Sequence, residues 1–268
     1  CALGLATPTV ITVASGKAAK KGILFKGGDK IEIASKIDSI IFDKTGTLTK
    51  GSPYVVGYIG SNDETFLLQI SASLENESRH PIAKSLVEEA KKQNINLFPI
   101  KNINTETGRG ISGKLNSIDG EIRVGNLKWL ENHNVEISDE IKDKISVTEM
   151  KKYTIIGVSI STNFIGCILL GDSLREDALS SIKKLREDDL DIYIFSGDRK
   201  ESVIDLGRKL NCKINELKWE LLPEDKLKNI EKLKNNDNQI VAMVGDGIND
   251  APALAASNLG IAVGSGTQ

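Results

Sequence analysis

Residues 39–47 have the sequence SIIFDKTGT, in which a short apolar run ends in an acid and a glycine-containing turn follows. An apolar run of this length, closed by a turn, predicts a buried strand over 39–43. Two more predicted strands end in the same way. The strand at 191–195 runs into Ser196-Gly197-Asp198, and the strand at 239–244 runs into Gly245-Asp246.

The chain after residue 172 alternates between helix and strand patterns. Helices are predicted at 174–187, 200–210, 224–234 and 250–256, and a last strand at 260–263. Such alternation is typical of a parallel sheet with crossover helices. The strand at 39–43 stands apart from this region, so a segment of different structure must separate it from the rest of its sheet.

The segment between residues 51 and 171 predicts a mixture of helices and hairpins. Helices are expected at 65–76, 82–93, 127–133 and 139–145, with strands between 100 and 125 and at 154–161 and 164–171. We therefore predict an α/β fold. One parallel-sheet domain, 32–50 plus 172–268, is interrupted by an inserted α+β domain with an antiparallel sheet, 51–171.

The first 16 residues carry no acidic, basic or histidine side chain, and Lys17, Lys20 and Lys21 follow. This stretch is too short for a complete membrane span, which needs about 20 apolar residues. Two interpretations stay open: the end of a truncated transmembrane helix with a stalk over 1–31, or a helix of small residues packed on the domain.

Composition excludes several classes of protein. The 35 basic and 37 acidic residues leave a net charge of −2, which argues against a nucleic-acid-binding surface. Apolar residues make up 40% of the chain, as in soluble globular proteins. The three cysteines are far apart and form no C-x-x-C pair, so we expect neither a disulfide framework nor a zinc site, and a reducing setting fits best.

Acids follow three of the predicted parallel strands, at Asp43, Asp198 and Asp246. Ligands of open parallel sheets bind beyond the carboxyl ends of the strands, where these acids would meet. Clustered carboxylates repel one another unless a cation lies among them, and Mg²⁺ suits carboxylates and phosphate oxygens. Lys226 begins a helix near the same edge and can meet a phosphate. For any one acid, capping of the next helix is the alternative.

Four motifs together resemble the P-type ATPases. The segment 43–49, DKTGTLT, resembles their phosphorylation signature, and 243–252, MVGDGINDAP, resembles their hinge motif. The segment 196–198 resembles their Thr-Gly-Asp, with serine in place of threonine, and 223–226 resembles the segment that carries their phosphate-site lysine. The resemblance implies a haloacid-dehalogenase-like fold for the parallel-sheet domain.

The inserted segment resembles the nucleotide-binding domain of the heavy-metal-transporting, CPx-type members. The matching positions are Glu75, His80-Pro81, Gly108-Arg109-Gly110 and Gly125-Asn126, and Arg79 replaces the acid that usually precedes the histidine. Residues 108–113 also fit G-x-G-x-x-G, but that dinucleotide fingerprint needs a helix after it, and a hairpin is predicted here.

The resemblance implies a role for each matched residue. Asp43 would be the nucleophile that forms an aspartyl phosphate from ATP, with Mg²⁺ held by Asp43, the Thr45 carbonyl and Asp246. The phosphoryl oxygens would be bound by Lys226, Ser196 and Gly197, with Asn249 and Asp250 supporting them and Asp198 facing the nucleotide or the hinge. The nucleotide would be held by Glu75, His80, Gly108, Gly110, Ile111, Gly125 and Asn126. Domain closure near residues 48–53 and 170–174 is expected.

The first eight residues, CALGLATP, resemble the segment after the intramembrane Cys-Pro motif, most closely that of copper and silver pumps. This implies that Cys1 is a ligand of the transported metal in a full-length membrane pump. The present chain would be a monomeric cytoplasmic part, working with the membrane and actuator domains. The alternatives are a soluble haloacid-dehalogenase-type phosphohydrolase and a nucleotide-sensing module. Such phosphohydrolases carry an aspartate two residues after the nucleophile, where this chain has Thr45.

Overall fold

A computed structural model describes residues 2–78, 80–106, 108–147, 150–235, 238–247 and 250–263, with side chains from residue 9 onward. The chain forms two units. The first comprises Cys1–Leu48, Asp177–Asp198 and Gly207–Gln268, and the second comprises Thr49–Glu176 and Arg199–Leu206.

The strands of the described residues are, in chain order, β1 (Ser39–Asp43), β2 (Thr49–Ile59), β3 (Ile100–Glu106), β4 (Gly110–Leu115), β5 (Glu121–Gly125), β6 (Thr154–Ile160), β7 (Asn163–Leu174), β8 (Asp191–Phe195), β9 (Leu217–Lys218), β10 (Val241–Gly245) and β11 (Leu259–Ala262). The α-helices of the described residues are α1 (Ala2–Ala19), α2 (Gly28–Ala34), α3 (Glu64–Glu75), α4 (Pro81–Lys92), α5 (Leu127–Asn132), α6 (Asp139–Ser146), α7 (Ala178–Glu187), α8 (Lys200–Lys209), α9 (Pro223–Asn235) and α10 (Ala251–Ala256). A short 3-10 helix covers Ile214–Glu216.

The first unit contains a parallel sheet with the order β11-β10-β1-β8-β9. Strand β1 lies at its centre, and its residues Ile41 and Phe42 are in register with Met243 and Val244 of β10. One buried cluster of this unit contains Ile41, Phe195, Ile230, Val241, Met243 and Ala253. Because all the strands point the same way, the loops after β1, β8 and β10 share one edge.

The second unit contains an antiparallel sheet with the order β2-β7-β6-β5-β4-β3. Helices α3 and α4 provide Leu67, Leu68, Leu74 and Leu86 to a core that also contains apolar residues of β4 to β7. The N-terminus of α3 is capped by Asp63, whose Oδ1 accepts a 2.8 Å hydrogen bond from the Phe66 amide. The fold class expected from the sequence, a parallel sheet interrupted by an α+β unit with an antiparallel sheet, is confirmed.

Some element predictions were wrong. The helix expected to start at residue 174 begins at Ala178, because β7 continues to Leu174 and pairs there with Thr49. Strand β2 was not predicted, since Gly51 and Pro53 interrupt its pattern as turn residues do. Helix α2 and the two-residue strand β9 were also missed.

Helix α1 extends over the apolar N-terminal stretch. Its Ile11 lies against Gly28 at the start of α2, whereas Val10 and Val13 are exposed. Across the described ranges, no helix has the length and apolar character needed to cross a membrane.

Candidate active site

A cavity of about 220 Å³ lies at the carboxyl edge of the parallel sheet. It is lined by seven of the residues predicted from the sequence, namely Asp43, Thr45, Ser196, Gly197, Asp198, Lys226 and Asp250. Leu221 and Pro223 complete the lining. The register of the sheet explains this convergence, because Asp43 pairs with Phe195 and the loop that begins at Ser196 therefore emerges beside it.

Lys226 joins two acids at the centre of this cavity. Its Nζ lies 2.6 Å from Asp43 Oδ1 and 2.7 Å from Asp250 Oδ1. All three side chains are buried, and Asp250 is only 1% exposed. The other oxygen of Asp250, Oδ2, is buried without a hydrogen-bond partner in the described structure. The group thus has two carboxylates for one ammonium and an excess of negative charge.

Backbone hydrogen bonds bring Lys226 to this position. The Ser196 amide donates to Lys218 O at 3.0 Å, and the Leu221 amide donates to Ser196 O at 3.0 Å. These bonds fix the segment before α9 along the loop that follows β8. Helix α9 then begins at Pro223, a residue well suited to the first turn of a helix, and Lys226 faces inward from that turn.

Burial and charge shift the pKa of the acid and the base. Burial raises the pKa of Asp43 to about 6, since Lys226 offsets this effect only in part and Asp250 adds to it. For Lys226, burial alone would lower the pKa, but the two carboxylates outweigh it and the pKa is raised. Above pH 6, Asp43 is therefore a buried carboxylate beside a charged lysine, and its ionisation lowers the free energy of unfolding.

This raised pKa predicts that Asp43→Asn stabilises the fold above pH 6 when divalent cations are absent. The native pKa of about 6 exceeds the ordinary value of 3.8, so ionisation of Asp43 opposes folding as pH rises through this window. The shift corresponds to about 3 kcal/mol of unfolding free energy. Urea unfolding in EDTA should show the variant more stable at pH 7.5, with the difference shrinking toward pH 4. The exposed Asp143→Asn variant should show no such trend.

Lys44 was given no separate role by the sequence, yet it forms a second ion pair at the cavity. Its Nζ lies 2.6 Å from Asp198 Oδ2, and its side chain is 9% exposed. Thr45 Oγ1 lies 3.3 Å from the same oxygen. Asp198 therefore ties the turn after β1 to the loop after β8. The position of Lys44 next to Asp43 in the sequence could have suggested a role for it. Its ion-pair partner, Asp198, could be identified only from the fold.

Asp246 lies against the turn that carries Thr45. A Cβ atom on Gly46, which has a φ of 76°, would lie 4.0 Å from Asp246 Oδ2. Asp246 is not among the residues that line the cavity of Asp43. Carboxylates and main-chain oxygen are nevertheless donors that suit Mg²⁺, which binds one or two carboxylates and completes its shell with phosphate and water. Within the described ranges, no group of three or more histidine, cysteine, aspartate or glutamate side chains is placed to hold a metal ion. The predicted residues Cys1 and Asn249, and also Arg79, lie outside the described residues.

A second cavity, of about 430 Å³, lies within the second unit. All seven residues predicted to bind nucleotide line it: Glu75, His80, Gly108, Gly110, Ile111, Gly125 and Asn126. Its apolar wall comes from Ile82, Ile111, Val124, Ile155 and Ile156. An apolar wall with a few polar groups at one side is the usual character of a small-molecule site.

Two polar residues of this cavity, His80 and Asn126, are N-caps of helices. The Nδ1 atom of His80 accepts a 3.3 Å hydrogen bond from the Ile82 amide and caps α4. In the neutral ring the proton must then lie on Nε2, which is left as a donor. Asn126 caps α5 through Oδ1, which accepts from the Trp129 amide at 2.8 Å. Burial raises the pKa of Glu75, although Ser78 and His80 counteract it.

The glycines of this cavity are needed at their positions for different structural reasons. A Cβ on Gly110 would lie 2.5 Å from the Trp129 ring, and one on Gly125 would lie 2.5 Å from Arg109 O. These two glycines, paired in β4 and β5, are therefore required by packing. Gly108 has a φ of 75° and open space where a side chain would begin. Trp129, which was not predicted as part of the site, is the buried support of this wall.

Comparisons with known proteins show which families this chain resembles. A family model described as a haloacid dehalogenase-like hydrolase matches residues 37–258. The copper-exporting P-type ATPase of Staphylococcus epidermidis is 40% identical over 268 residues, which cover all of this chain and 33% of that protein. The chain thus spans about a third of the length of the curated relatives it matches.

Two solved structures are similar in both sequence and fold. A zinc-transporting PIB-type ATPase in an E2.Pi state is 34% identical with a TM-score of 0.82, and the match covers 100% of this chain and 43% of that one. The catalytic domain of the CPx-ATPase CopB-B is 34% identical with a TM-score of 0.69, and the match covers 91% and 88% of the two chains. The chain therefore belongs to the haloacid dehalogenase-like hydrolases and, within them, to the CPx-type P-type ATPases, as a catalytic domain of that family.

Proposed function

We propose that this chain binds ATP and transfers the γ-phosphoryl group to Asp43. The observation that carries the proposal is the buried group of Asp43, Lys226 and Asp250 at the end of a central parallel strand. A carboxylate held there beside a lysine has a nucleophilic oxygen and a positive charge for the incoming phosphoryl group.

In the proposed step, a carboxylate oxygen of Asp43 attacks the γ-phosphorus. A bond from that oxygen to phosphorus forms, and the bond from phosphorus to the β–γ bridging oxygen breaks, so that ADP leaves with its electron pair. Asp43 needs no general base, because it is ionised above its pKa of about 6. In-line positioning and neutralisation of the phosphoryl oxygens then provide the catalysis.

Other residues of the cavity would bind the phosphoryl oxygens. Ser196 Oγ accepts a 3.1 Å hydrogen bond from the Asp198 amide, which leaves its own proton to donate to a phosphoryl oxygen. Lys226 would move its ammonium group from two carboxylates toward the phosphate, with the Gly197 amide beside it. Asp250 would keep the ammonium oriented, and Asn249 is proposed to support the same group.

Asp43, the Thr45 carbonyl and Asp246 are the residues that would hold Mg²⁺. When bound, this cation supplies positive charge that offsets the phosphate and carboxylate oxygens. The nucleotide itself is assigned to the cavity of the second unit, where Glu75 and His80 present polar groups beside the apolar wall.

Thr45 argues against the phosphohydrolase alternative. Its hydroxyl lies 3.3 Å from Asp198 Oδ2, and it has no acidic group with which to activate a water molecule. A phosphorylated Asp43 should therefore persist instead of being hydrolysed at once, which a transport cycle requires.

We further propose that the whole protein is a membrane pump for copper, with ATP and the metal ion as its substrates. This rests on the copper-exporting relatives, of which one is 40% identical over the full chain. Cys1 is proposed as a ligand of the transported ion in that protein.

The test of phosphoryl transfer is incubation of the chain with Mg²⁺ and γ-labelled ATP, followed by acid quenching. We expect protein-bound label that is stable in acid and released by hydroxylamine, as for an acyl phosphate. Hydrolysis of ATP without any bound label would contradict the proposal and favour a phosphohydrolase.

His80→Gln is expected to weaken ATP binding by about 1–3 kcal/mol, since a flexible amide replaces the ring and the fixed Nε2–H donor in the nucleotide cavity. Mg²⁺-dependent binding of a small phosphate mimic such as beryllium fluoride should not change, because His80 does not line the cavity of Asp43. Calorimetry measures the affinity of the variant for ATP and for the phosphate mimic. His80→Asn keeps a capping oxygen for α4 and should lose ATP affinity as well. Equal loss of both ligands would refute the division of roles.

A further inference from the structure

The nucleotide cavity of the second unit has an unusual balance of charge. Two carboxylates, Glu75 and Glu106, line it, and Arg109 is the one lysine or arginine among the described residues of its wall. A nucleoside triphosphate carries several negative charges and would be repelled by a wall of acids alone. Binding of a nucleotide in this cavity therefore requires a positive charge that offsets the two carboxylates.

Two hydrogen bonds fix the backbone of Arg109. The Arg109 amide donates to Glu106 O at 2.9 Å, and Arg109 O accepts from the Asn126 amide at 2.9 Å. Asn126 Nδ2 also lies 3.5 Å from Gly108 O. The Arg109 side chain is nevertheless 67% exposed, so that its guanidinium is not confined by packing.

The present partner of this guanidinium is weak. Arg109 Nη1 lies 3.6 Å from Glu106 Oε2, and the carboxylate is partly engaged on its other side, with Oε1 3.9 Å from His133 Nε2. Exposed ion pairs of this kind contribute little to stability. A phosphate can accept two parallel hydrogen bonds from a guanidinium and would compete well for it.

We propose that Arg109 leaves Glu106 and binds a phosphate group of the nucleotide. This makes Arg109 the residue by which the cavity distinguishes nucleotides from nucleosides, with Glu106 holding the guanidinium when no nucleotide is bound. The inference rests on the ATP-binding role proposed above for this cavity and adds the group that recognises the phosphate chain.

The test is Arg109→Gln in the full chain, with calorimetric titration of adenosine, AMP, ADP and ATP in EDTA, where phosphoryl transfer cannot occur. The affinity for ATP should fall about tenfold, while that for adenosine should stay within twofold. The shortest ligand of the series whose affinity falls in Arg109→Gln shows which phosphate group the guanidinium binds. Because the guanidinium is exposed, raising the salt concentration should reduce the difference between wild type and variant.

Lys114→Gln is the matched control. It removes one positive charge from an exposed position of β4, in the same unit but outside the cavity lining. It should leave all four affinities unchanged. An equal loss of ATP affinity in this control, or an equal loss of adenosine and ATP affinity in Arg109→Gln, would overturn the inference.

Glu106→Gln tests the role of the carboxylate. Release of the guanidinium should strengthen ATP binding about threefold in the wild-type background and have no effect in Arg109→Gln. A gain that persists in the double variant would show that Glu106 merely repels phosphate and would refute its holding role. If the wild type binds ATP and Arg109→Gln binds it with the same affinity, this inference is overturned but the proposed function is not. Failure of the wild type to bind either adenosine or ATP would overturn the proposed function as well.

Discussion

Asp43→Asn is expected to abolish acid-stable labelling of the chain by γ-labelled ATP. The amide is nearly the same shape as the carboxylate but cannot act as the nucleophile, so that the covalent bond to phosphorus cannot form. ATP affinity should remain within a few-fold, because the residues assigned to the nucleotide lie in a separate cavity. The measurement is acid precipitation and counting of labelled protein, with nucleotide affinity measured in parallel.

The control for this experiment is Asp143→Asn, which removes one exposed carboxylate from α6 and should keep full labelling. The variant fold can be verified independently, because Asp43→Asn is also expected to be more stable than wild type at pH 7.5. A correctly folded Asp43→Asn protein that is labelled to the wild-type level would rule out Asp43 as the phosphorylated residue.

Lys226→Met is expected to lower the free energy of unfolding by about 3–5 kcal/mol at pH 7.5. Methionine occupies a similar volume, so the loss comes from leaving Asp43 and Asp250 buried without their shared ammonium group. Urea unfolding followed by circular dichroism measures the change. The phosphoryl group would also lose its cationic partner, and the rate of labelling should fall together with stability.

Two further variants separate charge from packing at this position. Lys228→Met removes a lysine from the same helix, where the side chain is 74% exposed, and should change stability by less than about 0.5 kcal/mol. Adding Asp43→Asn to Lys226→Met removes one of the orphaned charges and should recover part of the lost stability. If Lys226→Met costs less than about 1 kcal/mol, the ammonium is not what stabilises the two buried acids.

The convergence of the active-site acids could be predicted because it depends on local pattern and one general rule. The apolar run before Asp43 and the similar runs before Ser196 and Gly245 identify strands, and parallel strands bring their carboxyl ends to one edge. Their sharing of one lysine could not be predicted, since it depends on the backbone bonds that join the Ser196 loop to the segment before α9.

The nucleotide cavity shows the same division between local pattern and long-range packing. Its residues were predicted from short motifs, but the motifs did not show why positions 110 and 125 must be glycine. The motif suggests backbone that approaches a ligand, whereas the structure has the Trp129 ring and the neighbouring strand behind both positions. No signal in the sequence linked a tryptophan of α5 to these glycines. Strand β2 was missed for the opposite reason, since its turn residues outweighed a pairing with β7 that is distant in sequence.

The central position of β1 has a consequence for the order in which the protein is made. Ser39 pairs with Asp191 and Val241, which follow it by about 150 and 200 residues. At a synthesis rate on the order of 5–20 residues per second, the nascent strand waits roughly 10 to 40 seconds for its neighbours. The strands of the inserted sheet, of which the last ends at Leu174, are made before either partner of β1. On the ribosome, the segment that carries Asp43 is thus the first part of its sheet to emerge and must remain unpaired until the later strands arrive.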